Sequence, residues 1–324
     1  MATPNQGPRT LTVVVPFLNE AENLPLLYER LCGVLEKQPE SFEVLLVDDG
    51  STDGSAAWAA ACAAQDPRLK LLRLSRNFGH QLAITAGMDH ADGDAVVIMD
   101  ADLQDPPEVI PELLRAWREG HEVAYAVRVS RSGESWLKRF LAATFYRTFR
   151  QMANVDVPLD TGDFRLVDRK VVDALKQVRE LHRFVRGLTC WVGYSQTAVR
   201  YERAPRHAGV TKYPIWKLMR LAWDGVTSFS SAPLRWMTLI GLLVSIAGLA
   251  QAVRVIVGRL LYPGTMERGW ATLVAIMLFL GGVQLVSLGL IGQYVGRIFE
   301  ESKKRPLYFV KEKVGLAEPR EAGR

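Results

Sequence analysis

The sequence predicts an α/β domain on a mostly parallel sheet, followed by interfacial amphipathic helices and a C-terminal two-helix transmembrane hairpin. Three observations predict it. β-Branched runs alternate with helical stretches from Leu11 to Val127, acidic turns follow two of those runs, and two long apolar runs lie near the C-terminus. Strands separated by helices imply parallel pairing.

Residues 1–9 are polar, with Pro and Gly, and lack the basic-then-apolar pattern of a signal peptide, so they read as a disordered tail. Strand runs follow at Leu11–Val15, Phe42–Val47, Leu69–Leu74, Ala95–Met99 and Glu122–Val127. Helical periodicity covers Glu22–Glu36, Ser55–Ala64, His80–His90 and Glu108–Arg118, with Ser55 as a cap. In a sheet of this kind ligands bind beyond the carboxyl ends of the strands. Asp48-Asp49 and Asp100-Ala101-Asp102 both fall there.

Beyond a polar loop at Ser130–Ser135, Trp136–Met152 interleaves Trp136, Phe140, Phe145 and Phe149 with Lys138, Arg139, Arg147 and Arg150. Such a basic amphipathic helix suits either a membrane surface or the face of a sheet. A second amphipathic stretch, Ile215–Val226, leads directly into the first apolar run, a placement that favours an interfacial helix. The runs Trp236–Val253 and Trp270–Val295 are near or above the roughly 20 residues that cross a bilayer core. The domain therefore spans 10–213, an interfacial segment 214–233, two transmembrane helices within 234–297 (about 235–257 and 270–296), and a tail 298–324. Arg235 precedes the first run and Arg297, Lys303, Lys304 and Arg305 follow the second, which places both termini and the α/β domain in the cytoplasm; Arg254 and Arg259 weaken this. Gly241 with Ser245, and Gly292 with Gly296, lie four apart and let helix backbones approach, within the hairpin or between copies.

With 324 residues, 48% of them hydrophobic, the chain is not mainly disordered. Its net charge of +5 suits nucleic acid, an anionic membrane or a phosphorylated substrate. The basic residues cluster beside the apolar runs, which counts against nucleic acid, and neither a P-loop nor a dinucleotide-binding Gly fingerprint is present. Cys32, Cys62 and Cys190 lack metal-ligand spacing and fit a reducing compartment.

The turns carry the chemistry. Val15–Asn23 reads as a strand entering a capped helix. Adjacent carboxylates at Asp48-Asp49 repel, so the pair is either an acceptor for ligand N–H and hydroxyl groups or a solvated turn. Asp100 and Asp102, two apart at the end of an apolar strand, offer oxygen ligands to a hard cation such as Mg²⁺ or Mn²⁺.

Pro16–Asn23, the Asp48–Ser51 turn, Asn77-Phe78-Gly79, Asp100–Pro107, Asp160–Leu166 and Arg203–Tyr213 together resemble family 2 glycosyltransferases of the dolichyl-phosphate mannose synthase and bacterial polyprenyl-phosphate glucosyltransferase branch. The resemblance runs from about Leu11 to Phe309, and the C-terminal helix pair makes the bacterial members the closer likeness. It implies a GT-A fold, the Rossmann-like domain of nucleotide-diphospho-sugar transferases. It implies that Pro16, Leu18, Glu20, Asp48 and Asp49 hold the base and ribose of the donor, although many relatives have Tyr at the place of Leu18. Asp100, Ala101, Asp102 and Gln104 then meet the diphosphate, with Asp100, Asp102 and Gln104 around Mg²⁺ or Mn²⁺, while Arg206 and Lys212 clamp the phosphates. Arg128, Arg131 and Arg139 are the candidates to receive a lipid phosphate, and Asp102, Asp163 and Arg128 form the catalytic set.

In relatives that glycosylate hydroxyls, an Asp near the place of Asp163 is the general base. A phosphate monoester, with a second pKa of about 6, is already largely ionised, so Asp163 reads as an orienting group. The resemblance further implies an inverting hexosyltransferase of the bacterial inner membrane, tetrameric, that moves glucose from UDP-glucose onto undecaprenyl or another polyprenyl phosphate for cell-envelope glycosylation. Galactose, N-acetylglucosamine, 4-amino-arabinose and GDP-mannose stand behind glucose. A processive polysaccharide synthase is a rival, but Arg235-Trp236 lacks the Gln of a Gln-x-x-Arg-Trp element, and intact Asp100, Asp102, Arg206 and Lys212 argue against a non-catalytic scaffold.

Overall fold

A computed structural model describes residues 9–128, 161–201, 232–261 and 269–316. The chain divides into two compact units, Met1–Arg150 with Val155–Tyr213 and Pro306–Arg324, and Gln151–Asn154 with Pro214–Arg305. The expected loop Ser130–Ser135 and the expected amphipathic helices Trp136–Met152 and Ile215–Val226 lie outside the described residues.

The described part of the first unit carries strands β1 (Thr10–Phe17), β2 (Ser41–Asp48), β3 (Leu69–Leu74), β4 (Ala95–Ile98), β5 (Val123–Arg128), β6 (Thr161–Asp168), β7 (Gln196–Tyr201) and β8 (Val310–Val314). They form one sheet in the order β7-β5-β6-β4-β1-β2-β3-β8. Helices α1 (Asn23–Leu35), α2 (Ser55–Gln65), α3 (His80–His90) and α4 (Ile110–Arg118) connect the early strands, and α5 (Arg169–Gln177) and α6 (Val185–Trp191) fall between β6 and β7.

β1 to β4 pair in parallel, β4 and β2 flanking β1, with β3 beyond β2. Strands β1 and β4 are near-continuous apolar runs because they are covered on both faces: β1 is buried from Leu11 to Phe17 and β4 throughout. α3 lies close on this layer. At Gly87 a Cβ would stand 2.2 Å from Val14 Cγ1, so only glycine lets the helix approach so near.

The rest of the sheet departs from the parallel expectation. β6 pairs antiparallel with both β4 and β5, β7 lies parallel to β5, and β8 closes the far edge antiparallel to β3. The run read as a fifth strand is thus separated from β4 by β6. Residues 310–314, read in sequence as tail, are a strand of the sheet. Ser55, read as a helix cap, is instead the first residue of α2; Asp53 accepts its N–H at 3.0 Å, and Ser55 Oγ accepts the Glu20 N–H at 2.9 Å.

The second unit contains α7 (Ala232–Leu261) and α8 (Trp270–Ser302), each extending past the apolar runs read from sequence. Both contain segments long and apolar enough to cross a membrane, Pro233–Gln251 and Phe279–Ser302. Within this unit Ser287 Oγ is hydrogen-bonded to the Val283 carbonyl at 2.8 Å and lies 3.9 Å from Met237 Sδ.

Candidate active site

Three turns at the carboxyl ends of β1, β2 and β4 meet because those strands are parallel neighbours. The β1 and β2 turns are tied to each other: Asn19 N–H donates to Ser51 Oγ at 3.0 Å, Thr52 N–H donates to Asn19 Oδ1 at 2.8 Å, and Asp49 N–H donates to the Phe17 carbonyl at 3.0 Å. Asn19 holds the left-handed region with φ 58°, a conformation that Asn tolerates better than most residues. Leu18 stands beside it, 40% exposed, while Pro16 is buried in the strand. Glu20 Oε2 accepts from Asn23 Nδ2 at 2.6 Å.

Asp48 and Asp49 are both engaged by the chain's own groups. Asp48 is fully buried; its Oδ1 accepts the Ser51 N–H at 2.8 Å and its Oδ2 pairs with Arg73 Nε at 3.1 Å. Asp49 turns to the loop between β3 and α3, accepting the Phe78 N–H at 2.7 Å and the Gly79 N–H at 3.0 Å. Burial raises the Asp49 pKa, an effect those two amides partly offset. Gly50, at φ 83°, completes the junction, since a Cβ there would lie 2.6 Å from Asn77 N. The acidic pair thus ties the β2 turn to Arg73 and to the loop before α3.

The β4 turn is the acidic one. Asp100 Oδ1 is buried and has no hydrogen-bond partner among the described residues, although His80 Nε2 stands 3.4 Å away as an ion-pair partner. Burial, with the nearby charges of Asp163, Asp105 and Asp102, pushes the Asp100 carboxyl up to about 6, against the opposing pull of His80. Ala101 is buried, Asp102 Oδ1 accepts the Gln104 N–H at 3.1 Å, and Leu103 takes a strained φ of 59°. Asp105, fully buried, is hydrogen-bonded by Tyr201 Oη.

Antiparallel β6 brings the second carboxylate. Ile98 faces Arg165, and continuing that register two residues sets Asp163 opposite Asp100. Asp163 Oδ2 lies 3.2 Å from His80 Nε2 and accepts from Gln81 Nε2 at 3.2 Å, while Oδ1 pairs with Arg186 at 3.2 Å. Gln81 is itself oriented, its Oε1 accepting the Val185 N–H at 2.9 Å. Burial works against an ionised Asp163, but the His80 hydrogen bond and the Arg186 and Arg165 charges outweigh it and hold the carboxyl well below the usual range. The same contacts act on His80: burial disfavours the charged ring, and the Asp163 hydrogen bond with the Asp100 and Asp49 charges overcomes it and raises its pKa.

His80, Gln81 and Arg186 were missed from sequence. His80 had a signal, standing first in a helix directly after the noted Asn77-Phe78-Gly79, whereas Arg186 comes from a segment with no motif. Arg128 is the last residue of β5, and Arg131, Arg139, Arg206 and Lys212 lie outside the described residues.

Known proteins match this architecture along nearly the whole chain. The profile of glycosyl transferase family 2 matches residues 12–176. An uncharacterized glycosyltransferase of Bacillus subtilis, YkcC, is 48% identical over 95% of this chain and 95% of its own length. The bactoprenol glucosyl transferase of Shigella phage SfV is 42% identical over 93% of this chain and 98% of its own, and a prophage homologue in Escherichia coli is 40% identical over 93% and 98%. Among solved structures, glucosyl-3-phosphoglycerate synthase from Mycobacterium tuberculosis aligns with 68% of this chain and 78% of its own at a TM-score of 0.46 and 18% identity. With a GT-A-like mixed sheet, acidic turns at its strand ends and relatives of this kind over 93–95% of its length, the chain belongs to glycosyl transferase family 2.

Proposed function

We propose that this glycosyltransferase moves glucose from UDP-glucose to undecaprenyl or another polyprenyl phosphate, with inversion at the anomeric carbon. The observation that carries this reading is the state of Asp163. A carboxylate buried under three donors and held far below its usual pKa is a poor proton acceptor, and a sugar hydroxyl needs one. A phosphate monoester arrives already anionic, so Asp163 has only to hold His80 and Arg186 in place. Relatives named bactoprenol glucosyl transferases support this lipid class and this sugar.

The β4 turn fits a divalent cation. Asp100 Oδ1 is buried without a hydrogen bond among the described residues, and Asp102 lies in the same turn. Mg²⁺ and Mn²⁺ are typically held by one or two carboxylates plus substrate phosphates. When bound, the ion supplies Lewis-acid stabilisation of the departing nucleoside diphosphate. Asp100 and Asp102 would hold it with Gln104 beside them, the β1 turn at Leu18–Glu20 faces the nucleotide, and Arg206 and Lys212 clamp its phosphates. Arg128, Arg131 and Arg139 receive the lipid phosphate.

The two apolar helices form a membrane hairpin in this reading. The chain leaves the first unit before α7 and rejoins it after α8, and two crossings return it to the side it left. Lys303, Lys304 and Arg305 after α8 mark that side as cytoplasmic. Incubation of the purified full chain with Mg²⁺ or Mn²⁺, undecaprenyl phosphate and UDP-glucose is expected to yield glucosyl-phosphoryl-undecaprenol by mass spectrometry. A product with GDP-mannose, UDP-galactose or UDP-N-acetylglucosamine instead would replace the sugar; no glycolipid with any donor would sink the proposal.

A further inference from the structure

The segment that follows the apolar helices is joined to the donor side of the site by several separate contacts. β8 pairs with β3, the strand that leads into the loop 75–79. At the start of that loop Ser75 N–H donates to the Phe309 carbonyl at 2.8 Å. The Phe309 ring meets Phe78 at 6.4 Å between centroids, and Arg76 covers the same Phe78 ring at 4.0 Å. Glu312 on β8 approaches Arg73 at 3.7 Å, and Arg73 holds buried Asp48 at 3.1 Å. Tyr308 Oη donates to Asp89 Oδ2 at 2.9 Å, which anchors the segment to α3 as well. Two of these contacts end on groups that hold the acidic pair directly, Phe78 on Asp49 and Arg73 on Asp48, and the Ser75 bond fixes the start of the loop whose Gly79 also holds Asp49 and whose Asn77 abuts Gly50.

We propose that the segment Pro306–Val314 is a positioning element for the nucleotide: it fixes the loop 75–79 and Arg73, and through them the β2 turn against which the base and ribose sit. This rests on reading the β1 and β2 turns as the nucleotide end of the site. The alternative, a strand that only covers a sheet edge, lowers stability when disturbed but leaves donor and acceptor affinities alike. Linkage separates the two. If β8 supports nucleotide binding, nucleotide binding must support β8 by the same factor.

The primary test is hydrogen exchange on the intact wild-type protein in detergent, with and without UDP, and with GDP as the alternative nucleotide. The expected result is slower exchange in peptides covering both 75–79 and 307–314. Protection at 75–79 with none at 307–314 overturns the proposal. The second test measures UDP affinity by calorimetry and both substrate KM values in a Phe309→Ala/Glu312→Ala double variant. UDP Kd and donor KM are expected to rise about fivefold from lost preorganisation, with acceptor KM unchanged, and Phe309→Tyr, which retains the ring, is expected to restore wild-type values. An unchanged UDP Kd in the folded double variant, or equal losses for donor and acceptor, refutes it. Asp49→Ala serves as the control on the underlying reading. If Asp49→Ala leaves UDP affinity intact, or wild type binds neither UDP nor GDP, the nucleotide-site reading itself fails; if Asp49→Ala weakens UDP and the double variant does not, only this inference fails.

Discussion

Asp163→Asn separates orientation from proton removal. In the wild type the carboxylate faces His80, Gln81 and Arg186 at 3.2 Å each, and its charge compensates Arg165, which is 2% exposed, and Arg186, 20% exposed in its side chain. The amide keeps one acceptor oxygen, turns an NH₂ toward a donor, and removes the counter-charge. Breaking a buried pair from one side costs on the order of 3–5 kcal/mol; Arg186 recovers part of that from water, so a net loss of about 2–3 kcal/mol is expected. For a domain of this size that lowers Tm by roughly 5–10 °C, measurable by circular dichroism of the full chain in detergent. The linkage sign agrees: with a folded pKa below its unfolded value, Asp163 stabilises the protein above the ordinary carboxylate range and loses that contribution only as pH falls through the lower folded value. Turnover should fall about 10- to 100-fold from misplacement of His80 and Arg186, and the kcat profile between pH 6 and 8.5 should keep its wild-type shape. A loss beyond about 10³-fold at unchanged Tm, together with disappearance of a wild-type titration from the profile, would refute the orienting role and restore the general base.

Other outcomes follow from the same geometry. Asp100, its carboxyl raised to about 6, binds more protons folded than unfolded between its ordinary value and 6, so the metal-free protein loses stability as pH rises through that window. Asp100→Asn should remove this part of the Tm-against-pH curve, and Mn²⁺ affinity followed by electron paramagnetic resonance should weaken as wild type is taken below pH 6. If the variant and wild type give parallel Tm curves, burial of Asp100 has been misjudged. Gly50→Ala puts a Cβ 2.6 Å from Asn77 N at φ 83° and should cost about 1–3 kcal/mol, with UDP affinity lost more steeply than Tm. Gly87→Ala, with its Cβ 2.2 Å from Val14 Cγ1, should cost about 1–3 kcal/mol of overpacking by chemical denaturation and leave both KM values unchanged in the folded fraction; unaltered stability would mean that α3 shifts freely on the sheet.

What could be read in advance was whatever local pattern determines. β1 and β4 are buried on both faces and β2 and β3 over most of their length, so their apolar residues stood out, and the turns after β2 and β4 carried their carboxylates in plain sequence. β6 was quoted only as a motif because Thr161–Asp168 alternates polar and apolar residues around a buried Arg165, and nothing local says that it will insert antiparallel beside β4. β8, Val-Lys-Glu-Lys-Val, looks like a charged tail because an exposed edge strand carries charge to avoid further pairing. The site shows the same division. Asp100 and Asp163 were legible one by one, but their meeting depends on the β4–β6 register, and the set His80, Gln81 and Arg186 is assembled from two helices far apart in sequence. Asp48 and Asp49 show the limit of a local reading: adjacent carboxylates say that partners are needed, and only the fold shows that the chain's own amides and Arg73 are among them.

The pairing of Leu71 with Val314 also sets a clock on synthesis. A ribosome adding about 5–20 residues per second needs roughly 10–50 s to travel from β3 to β8, and in that interval both apolar helices emerge. Until then β3 presents an unpaired edge, an invitation to pairing with another chain. The last strand to be made is thus the one that closes the sheet, and nascent chains halted before it should be the species that aggregate.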